Sequence, residues 1–85
     1  MEVLKKNLLT SEHLSITIEG YTTYDIRPIR TKFSISESYG GEPLCKDYEL
    51  DDQQVFETFK IKKIIEILTY EKDEDGYDDE IVLFK

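Results

Sequence analysis

Polar and apolar residues alternate along the first half of the chain. In His13–Gly20, aliphatic residues at every second position alternate with serine, threonine and glutamate, and the segment ends at a glycine. Thr31–Ser38 repeats this pattern with a phenylalanine and an isoleucine. A period of two is typical of a strand with one buried face. Thr22–Ile29, between them, consists mainly of β-forming residues, and its Pro28 indicates a sheet edge or a bend. We expect three strands here.

The clearest loop signal is Tyr39–Pro43, where two consecutive glycines precede a glutamate and a proline. The alternation resumes in Leu44–Leu50, which predicts a fourth strand. Its expected faces are Leu44, Lys46, Tyr48 and Leu50 on one side, and Cys45, Asp47 and Glu49 on the other.

Residues Asp51–Lys63 allow two interpretations. Asp51 or Asp52 is suited to cap a helix, with a valine and two phenylalanines forming its apolar stripe up to about residue 60. The alternative is a β-turn over Asp51–Gln54 followed by a strand over Val55–Ile61.

The last segment, Ile64–Lys85, predicts a β-hairpin. With Asp75 and Gly76 at the centre of a two-residue type I′ turn, apolar residues face one another across the two strands. This register also places like charges opposite each other near the tip, which favours a longer loop there. The expected cross-strand pairs are Ile67–Phe84, Leu68–Leu83, Tyr70–Ile81, Lys72–Asp79 and Glu66–Lys85, with Asp73–Asp78 and Glu71–Glu80 as the like-charge pairs.

The predicted segments define a single domain over residues 1–85. Met1–Thr10 has apolar residues at helical spacing, but it is too short to form a stable helix alone. We expect a mainly β fold, with α+β as the alternative. It would contain five or six strands in a small curled antiparallel sheet or barrel, at most one or two short helices, and a C-terminal β-hairpin.

Net charge divides the chain unequally. The formal net charge is −8, yet residues 1–41 are neutral overall and residues 42–80 carry a net charge of −9. Such a surface repels phosphate backbones and anionic membranes, and it attracts basic surfaces. We therefore expect no direct binding to nucleic acid or to membranes, and a basic protein as partner.

The residues that catalysis would require are few. His13 is the only histidine, and no phosphate-binding glycine loop, nucleophile elbow or Cys/His metal set is present. The run from Glu71 to Glu80 partly matches a calcium-binding loop, but Val82 stands where a bidentate glutamate is needed. We expect no enzymatic activity, no cofactor and no metal site.

Cysteine usage and hydropathy indicate the compartment. Cys45 is the only cysteine, so no internal disulfide can form, and we expect it to be a small buried residue. No secretion signal or membrane span is recognisable in the sequence. These features predict a cytoplasmic protein.

Two sets of charged residues are candidates for binding a partner. The first is acidic, and Tyr77 belongs to it because aromatic rings often serve interfaces. The second is basic and belongs to one strand region: Arg27 and Arg30. The acidic set comprises Glu42, Asp47, Glu49, Asp51, Asp52, Glu71, Asp73, Glu74, Asp75, Tyr77, Asp78, Asp79 and Glu80.

Three strings in the middle of the chain carry a resemblance. Ile26-Arg27-Pro28-Ile29-Arg30, Leu44–Leu50 and Thr58–Ile64 resemble the later half of WYL-type domains, although the Trp-Tyr-Leu signature is missing. Those domains are SH3-like β-barrels, usually regulatory and attached to a DNA-binding module. The resemblance implies an SH3-like barrel, a strand over Val55–Ile61, and a ligand site at Arg27 and Arg30.

In size and composition the chain is also similar to small acidic phage-encoded proteins that block host factors, some by imitating DNA. Carboxylates at alternate strand positions lie about 6–7 Å apart, which approximates phosphate spacing. The first hypothesis is therefore an inhibitor that occupies a basic nucleic-acid-binding protein, in the host cytoplasm if a phage encodes it. The second is a WYL-like regulatory binding module within a larger assembly. Either one could form a symmetric homodimer through an exposed edge strand.

Overall fold

The alternating segments form a single six-stranded antiparallel sheet. A computed structural model describes residues 2–85 of the chain. The strand order in the sheet is β4-β3-β2-β1-β5-β6. In chain order the elements are α1 (Glu2–Leu8), β1 (Leu14–Ile18), β2 (Thr22–Ile29), β3 (Lys32–Tyr39), β4 (Glu42–Leu50), α2 (Asp52–Phe59), β5 (Ile64–Lys72) and β6 (Asp78–Phe84).

The sheet is open. β4 and β6 are its two outer strands and do not pair with each other, so of the two expected forms the sheet is present and the barrel is not. The mainly β fold, the six strands, the two short helices and the C-terminal hairpin are confirmed. A barrel would need β4 and β6 to meet, and five strand spacings of about 4.8 Å keep them roughly 24 Å apart across an open sheet.

Both helices cover the same face of the sheet. Leu4 and Leu8 of α1 and Val55 and Phe59 of α2 are almost fully buried, and they belong to one apolar cluster. The other face carries no helix in residues 2–85, and we refer to it as the open face. The sheet residues buried in the cluster are Leu14, Ile16, Tyr24, Ile26, Phe33, Ile35 and Ile67.

The segment after β4 is a helix, which makes the alternative strand over Val55–Ile61 wrong. The Asp51 side chain accepts a hydrogen bond from the Gln54 backbone N–H at 2.8 Å. The Gln54 side chain in turn accepts one from the Asp51 N–H at 2.9 Å. This reciprocal pair is a capping box. With Val55 and Phe59 four residues apart and buried together, the helix is fixed at its start and along its length.

The C-terminal hairpin forms with a longer loop than two residues. Lys72 pairs with Asp78, and the Gly76 N–H donates to the Asp73 carbonyl at 3.1 Å. Gly76 has a φ of 85°, so a type I turn followed by a left-handed glycine closes the hairpin. The expected two-residue type I′ turn is therefore wrong. A longer loop forms instead, as the predicted like-charge pairs near the tip favoured.

The hairpin register differs from the predicted one because β6 contains an extra residue. Ile67 pairs with Phe84 as expected, but Leu68 pairs with Val82, which leaves Leu83 as the extra residue. The predicted pairs between this bulge and the turn are wrong for this reason, whereas the Glu66–Lys85 pair, on the far side of the bulge, stays a prediction. Beyond the bulge the observed pairs are Thr69–Ile81, Tyr70–Glu80, Glu71–Asp79 and Lys72–Asp78.

A larger irregularity interrupts β4. Ser36 pairs with Asp47 and Ser38 with Pro43, so the residues between Pro43 and Asp47 bulge out of the ladder. Cys45 lies in this bulge with a φ of 56° and is exposed, so the expected burial of its thiol is wrong. The bulge also breaks the predicted alternation, which holds only beyond it, where Tyr48 and Leu50 pack against the core.

Candidate functional site

The acidic candidates separate into two groups on opposite edges of the sheet. The β4 edge acids are Glu42, Asp47, Glu49, Asp51 and Asp52. The remaining candidates lie in the β5–β6 hairpin from Glu71 to Glu80, which we name the acidic hairpin. Four strands lie between β4 and β6. The structure therefore does not join the thirteen candidates into one surface.

Basic residues lie between the two groups. β2 and β5 run in the same direction because each is antiparallel to β1, so their last residues reach the same end of the sheet. The β2–β3 turn therefore reaches the end where the acidic hairpin projects. It carries Arg30, whose φ is 56°, with Arg27 and Lys32 beside it. This basic turn separates the β4 edge acids from the acidic hairpin.

Three candidate carboxylates accept hydrogen bonds from the backbone, and one of them, Asp52, accepts from the N–H of its neighbour Gln53 at 2.9 Å. Asp51 caps α2, as described above. Asp73 accepts hydrogen bonds from the backbone N–H groups of Asp75 and Tyr77, each at 2.9 Å. The Asp51 and Asp73 side chains satisfy donors that their own turns would otherwise leave unpaired. Their role here is local structure.

The other carboxylates of the acidic hairpin are uncompensated. Every residue from Glu71 to Glu80 is exposed, and Lys72 is its only base. Within residues 2–85, Lys60 forms an ion pair with Glu57 and Lys63 with Glu19, and His13 contacts Asp25, so none of these contacts involves the hairpin. Tyr77 lies in the loop with 72% of its surface exposed. The hairpin thus presents concentrated negative charge around an accessible aromatic ring.

A cleft opens where β1 ends. β1 has five residues, and its pairing stops at Leu14, whereas β2 and β5 continue for three residues beyond. The resulting cleft has a volume of about 880 Å³. Arg27 lines it together with Tyr70 and Lys72, but Arg30 does not. Carboxylates from Glu12, Glu71 and Asp78 also line it, so its charge is mixed.

His13 forms one wall of this cleft and is held on three sides. Its Nε2 lies 2.8 Å from Oδ1 of Asp25, and its ring stacks on Tyr70 with 4.7 Å between centroids. The Thr69 hydroxyl donates to its carbonyl oxygen at 3.1 Å. Burial, together with the nearby charges of Glu80 and Asp25, raises the pKa of Tyr70. No sequence pattern indicates this group, because its members are far apart along the chain.

Serine and threonine dominate the open face. Cross-strand pairing puts Ser15 beside Asp25, Thr17 beside Thr23, and Ser36 beside Asp47. The hydroxyls of Thr17 and Thr23 lie 3.1 Å apart. The alternation in the sequence contained this signal, since the polar residue at every second position had to face away from the core. The pattern alone predicts strands and does not identify this hydroxyl-rich face.

Neither a metal-binding cluster nor a helix able to span a membrane is formed by the part of the chain that the structure describes. No group of three or more His, Cys, Asp or Glu side chains in residues 2–85 is arranged to hold a metal ion. No helix in the same range is long and apolar enough to cross a membrane.

Comparisons with protein-family models, with curated proteins and with solved structures found no match to this chain. The resemblance to WYL-type domains therefore stays a prediction. What defines a class here is the architecture alone: an open antiparallel sheet with two helices on one face and an acidic hairpin at one edge.

Proposed function

We propose that this chain is a non-enzymatic binding protein that occupies a basic surface of a nucleic-acid-binding protein, and that the acidic hairpin is its binding element. The observation that carries the proposal is the set of exposed hairpin carboxylates that form no ion pair within residues 2–85. Clustered like charges repel one another, and a basic partner would relieve that repulsion. The same charges would steer the encounter.

The hairpin is better suited to this role than the β4 edge. Asp51 is engaged at the helix cap, and Glu42 lies at the end of the sheet opposite to Asp51 and Asp52. A partner that contacted both the β4 edge acids and the acidic hairpin would also meet the basic β2–β3 turn between them. A partner of the hairpin alone meets carboxylates on both faces of two paired strands.

The spacing of the hairpin carboxylates supports an imitation of nucleic acid. Asp78 and Glu80 are alternate residues of β6, so their side chains project from the same face about 6.8 Å apart. Asp79 projects from the other face beside Glu71. Such rows resemble a short stretch of a charged backbone, and Tyr77 at the loop adds a ring of the kind that anchors interfaces.

The test compares two variants of equal charge. In the hairpin variant, Glu74, Asp75, Asp78, Asp79 and Glu80 become the corresponding amides, while Asp73 is kept for its turn. In the control, Glu42, Asp47, Glu49, Asp52 and Glu57 are changed likewise, while Asp51 is kept for its cap. Five neutralised carboxylates take the formal net charge from −8 to −3 in both.

Tagged wild-type protein is used to capture partners from bacterial lysate, and the bound proteins are eluted with rising salt and identified by mass spectrometry. We expect a basic DNA-binding protein that duplex DNA displaces. With that purified partner, the hairpin variant should bind roughly tenfold or more weakly, and the control should bind like the wild type. Equal weakening in both variants would mean that total charge, and not the hairpin, governs binding.

A second candidate function rests on the cleft at the end of β1. The cleft is lined by Arg27, His13 and Lys72. It also contains the aromatic ring of Tyr70, and the hypothesis of a regulatory ligand-binding module requires arginine beside aromatic residues. In that case Arg27→Ala should abolish ligand binding, whereas Arg30→Ala should not, because Arg30 does not line the cleft. Calorimetric titration with anionic metabolites would separate the two variants.

A further inference from the structure

The two outer strands of the sheet differ in how they are protected. An exposed strand edge offers unpaired N–H and C=O groups to any other strand, and proteins usually block it with proline, bulges or charge. β4 has all three: Pro43, the bulge around Cys45, and carboxylates along its length. β6 contains no proline, its acids are confined to its first three residues, and although it has a one-residue bulge at Leu83, its second half, Ile81–Phe84, is entirely apolar.

Apolar side chains stay partly exposed along β6. Val82 has 52% of its surface exposed and Phe84 has 44%. On the open face Val82 pairs with Leu68, which is only 8% exposed. An apolar row therefore begins inside the sheet at Leu68 and ends at the edge with an exposed valine.

We propose that β6 pairs with β6 of a second copy of this chain, antiparallel and about a two-fold axis at Val82, which joins two sheets into one of twelve strands. The strand that pairs with this edge is thus β6 of an identical chain, and the two-fold symmetry limits the assembly to two copies. This inference is independent of the proposed function.

Charge complementarity selects this partner and orientation. The acids of β6 occupy its first three positions, Asp78 to Glu80, and Lys85 follows its last residue. With Val82 opposite Val82, Asp79 of each copy lies opposite Lys85 of the other. A parallel, in-register pairing would instead place all three acids against the same three acids, which is destabilising.

The same register continues the apolar row. On the open face, Val82 of one copy lies opposite Val82 of the other across the two-fold axis. The apolar row then runs from Leu68 of one copy through both valines to Leu68 of the other. On the opposite face, Ile81 of each copy faces Leu83 of the other. Pairing therefore covers the exposed apolar surface of the edge and satisfies its backbone groups in one step.

The dimer should be weak and dependent on salt. A contact between single strands buries less than the roughly 1,200 Å² of a stable interface. Each copy also carries a net charge of −8, so the two copies repel each other at low salt. Added salt should strengthen the dimer, whereas it should weaken binding of a basic partner, so a failure of one proposal is distinguishable from a failure of the other.

Light scattering after size exclusion, from roughly 10 μM to about 1 mM protein, tests the association. We expect the molar mass to rise from 10.0 kDa towards twice that value. Val82→Lys should abolish the rise, because it places two lysines together on the axis. Leu44→Lys, on the bulged β4 edge, is the matched control and should leave the rise unchanged.

A charge swap tests the register. Asp79→Lys places a lysine opposite Lys85 and should weaken the dimer roughly tenfold, because each contact occurs twice. The double variant Asp79→Lys with Lys85→Asp should restore it.

Cysteine crosslinking tests the axis itself. In a Cys45→Ser background, Val82→Cys should form an intermolecular disulfide, since directly opposite residues lie about 4.5–5.5 Å apart. Leu44→Cys in the same background should not. A monomer at all concentrations, crosslinking no greater than in this control, or a dimer indifferent to both Val82→Lys and the charge swap would overturn the proposal.

Discussion

Tyr48 shows how one residue responds to its place in the sheet. It lies on the helix-covered face of β4, half-buried against the core and near the carboxylate of Glu37. Burial and this carboxylate raise the pKa of the Tyr48 phenol well above its ordinary value of 10.0. The fold therefore favours the protonated phenol. Neither this proximity nor its effect on the pKa can be inferred from the sequence, because the bulge in β4 decides which residues face each other.

The raised pKa of Tyr48 predicts that the free energy of unfolding decreases at alkaline pH. Because the folded state raises the pKa of Tyr48, the stability gained from the neutral phenol is complete below about pH 10 and decreases as the pH rises above it. Tyr48→Phe cannot ionise, so its free energy of unfolding should fall less steeply above pH 10. Urea unfolding followed by circular dichroism at a series of pH values measures the slope.

Tyr21→Phe is the control for this experiment, because Tyr21 is largely exposed. It should keep the wild-type slope. If Tyr48→Phe and the wild type lose stability in parallel above pH 10, another group is responsible for this loss.

Aspartates of similar sequence context have different roles once the chain is folded. Asp51 and Asp73 hold backbone N–H groups of a helix start and a hairpin loop, whereas Asp78 and Asp79 hold none. All four are candidates for partner binding when the sequence is considered alone. A carboxylate within two or three residues of a turn has backbone donors in reach, and that local geometry distinguishes the two kinds.

At the scale of single elements, capping decided between helix and strand after β4. The stripe of Val55, Phe56 and Phe59 fits either structure, and the resemblance to WYL-type domains favoured the strand. A helix of eight residues is marginal alone, and the capping box of Asp51 and Gln54 stabilises its start while burial of Val55 and Phe59 stabilises the rest. Asp51 was named as a candidate cap from the sequence, so this part of the helix hypothesis is confirmed.

The contribution of the cap can be measured. Asp51→Ala removes the acceptor for the Gln54 N–H and should lower the free energy of unfolding by about 1 kcal/mol. Asp51→Asn retains an equivalent acceptor and should stay within about 0.5 kcal/mol of the wild type. Urea denaturation of the three proteins gives both values. A similar loss in both variants would show that the charge of Asp51, and not its hydrogen bond, stabilises the start of α2.

At the scale of the whole molecule, negative charge is divided between two edges with a basic turn between them. This arrangement lowers repulsion between the two acidic groups, which lie about 24 Å apart across the sheet. It leaves repulsion within the acidic hairpin, where Lys72 is the only base.

This residual repulsion predicts a dependence of stability on salt. Screening by about 0.5 M salt should raise the free energy of unfolding relative to about 0.02 M, because the Debye length falls below the spacing of the hairpin charges. Salt should raise the free energy of unfolding less in the hairpin variant, with its five neutralised carboxylates, than in the control variant of equal net charge defined above. Urea denaturation at both salt concentrations, at low protein concentration, tests this. An equal response would place the destabilising repulsion outside the hairpin.

The sequence by itself determined the elements whose evidence is local. Alternation over Leu14–Ile18 and Lys32–Tyr39 gave the strands, the glycine pair before Glu42 gave the turn, and the terminal hairpin was recognisable from its flanking strands. The strands follow from a period of two and the turn from the conformational freedom of glycine. Neither of these two signals depends on distant residues.

Only the tertiary structure decided the strand order, the bulges and the site. Placing β1 between β2 and β5 creates the cleft where His13 meets Asp25 and Tyr70. The extra residue at Leu83 reset the hairpin register. Strand order sent the acidic candidates to opposite edges. Such features depend on which distant strands hydrogen-bond to one another, and sequence periodicity specifies the face of a residue but not its neighbour across the sheet.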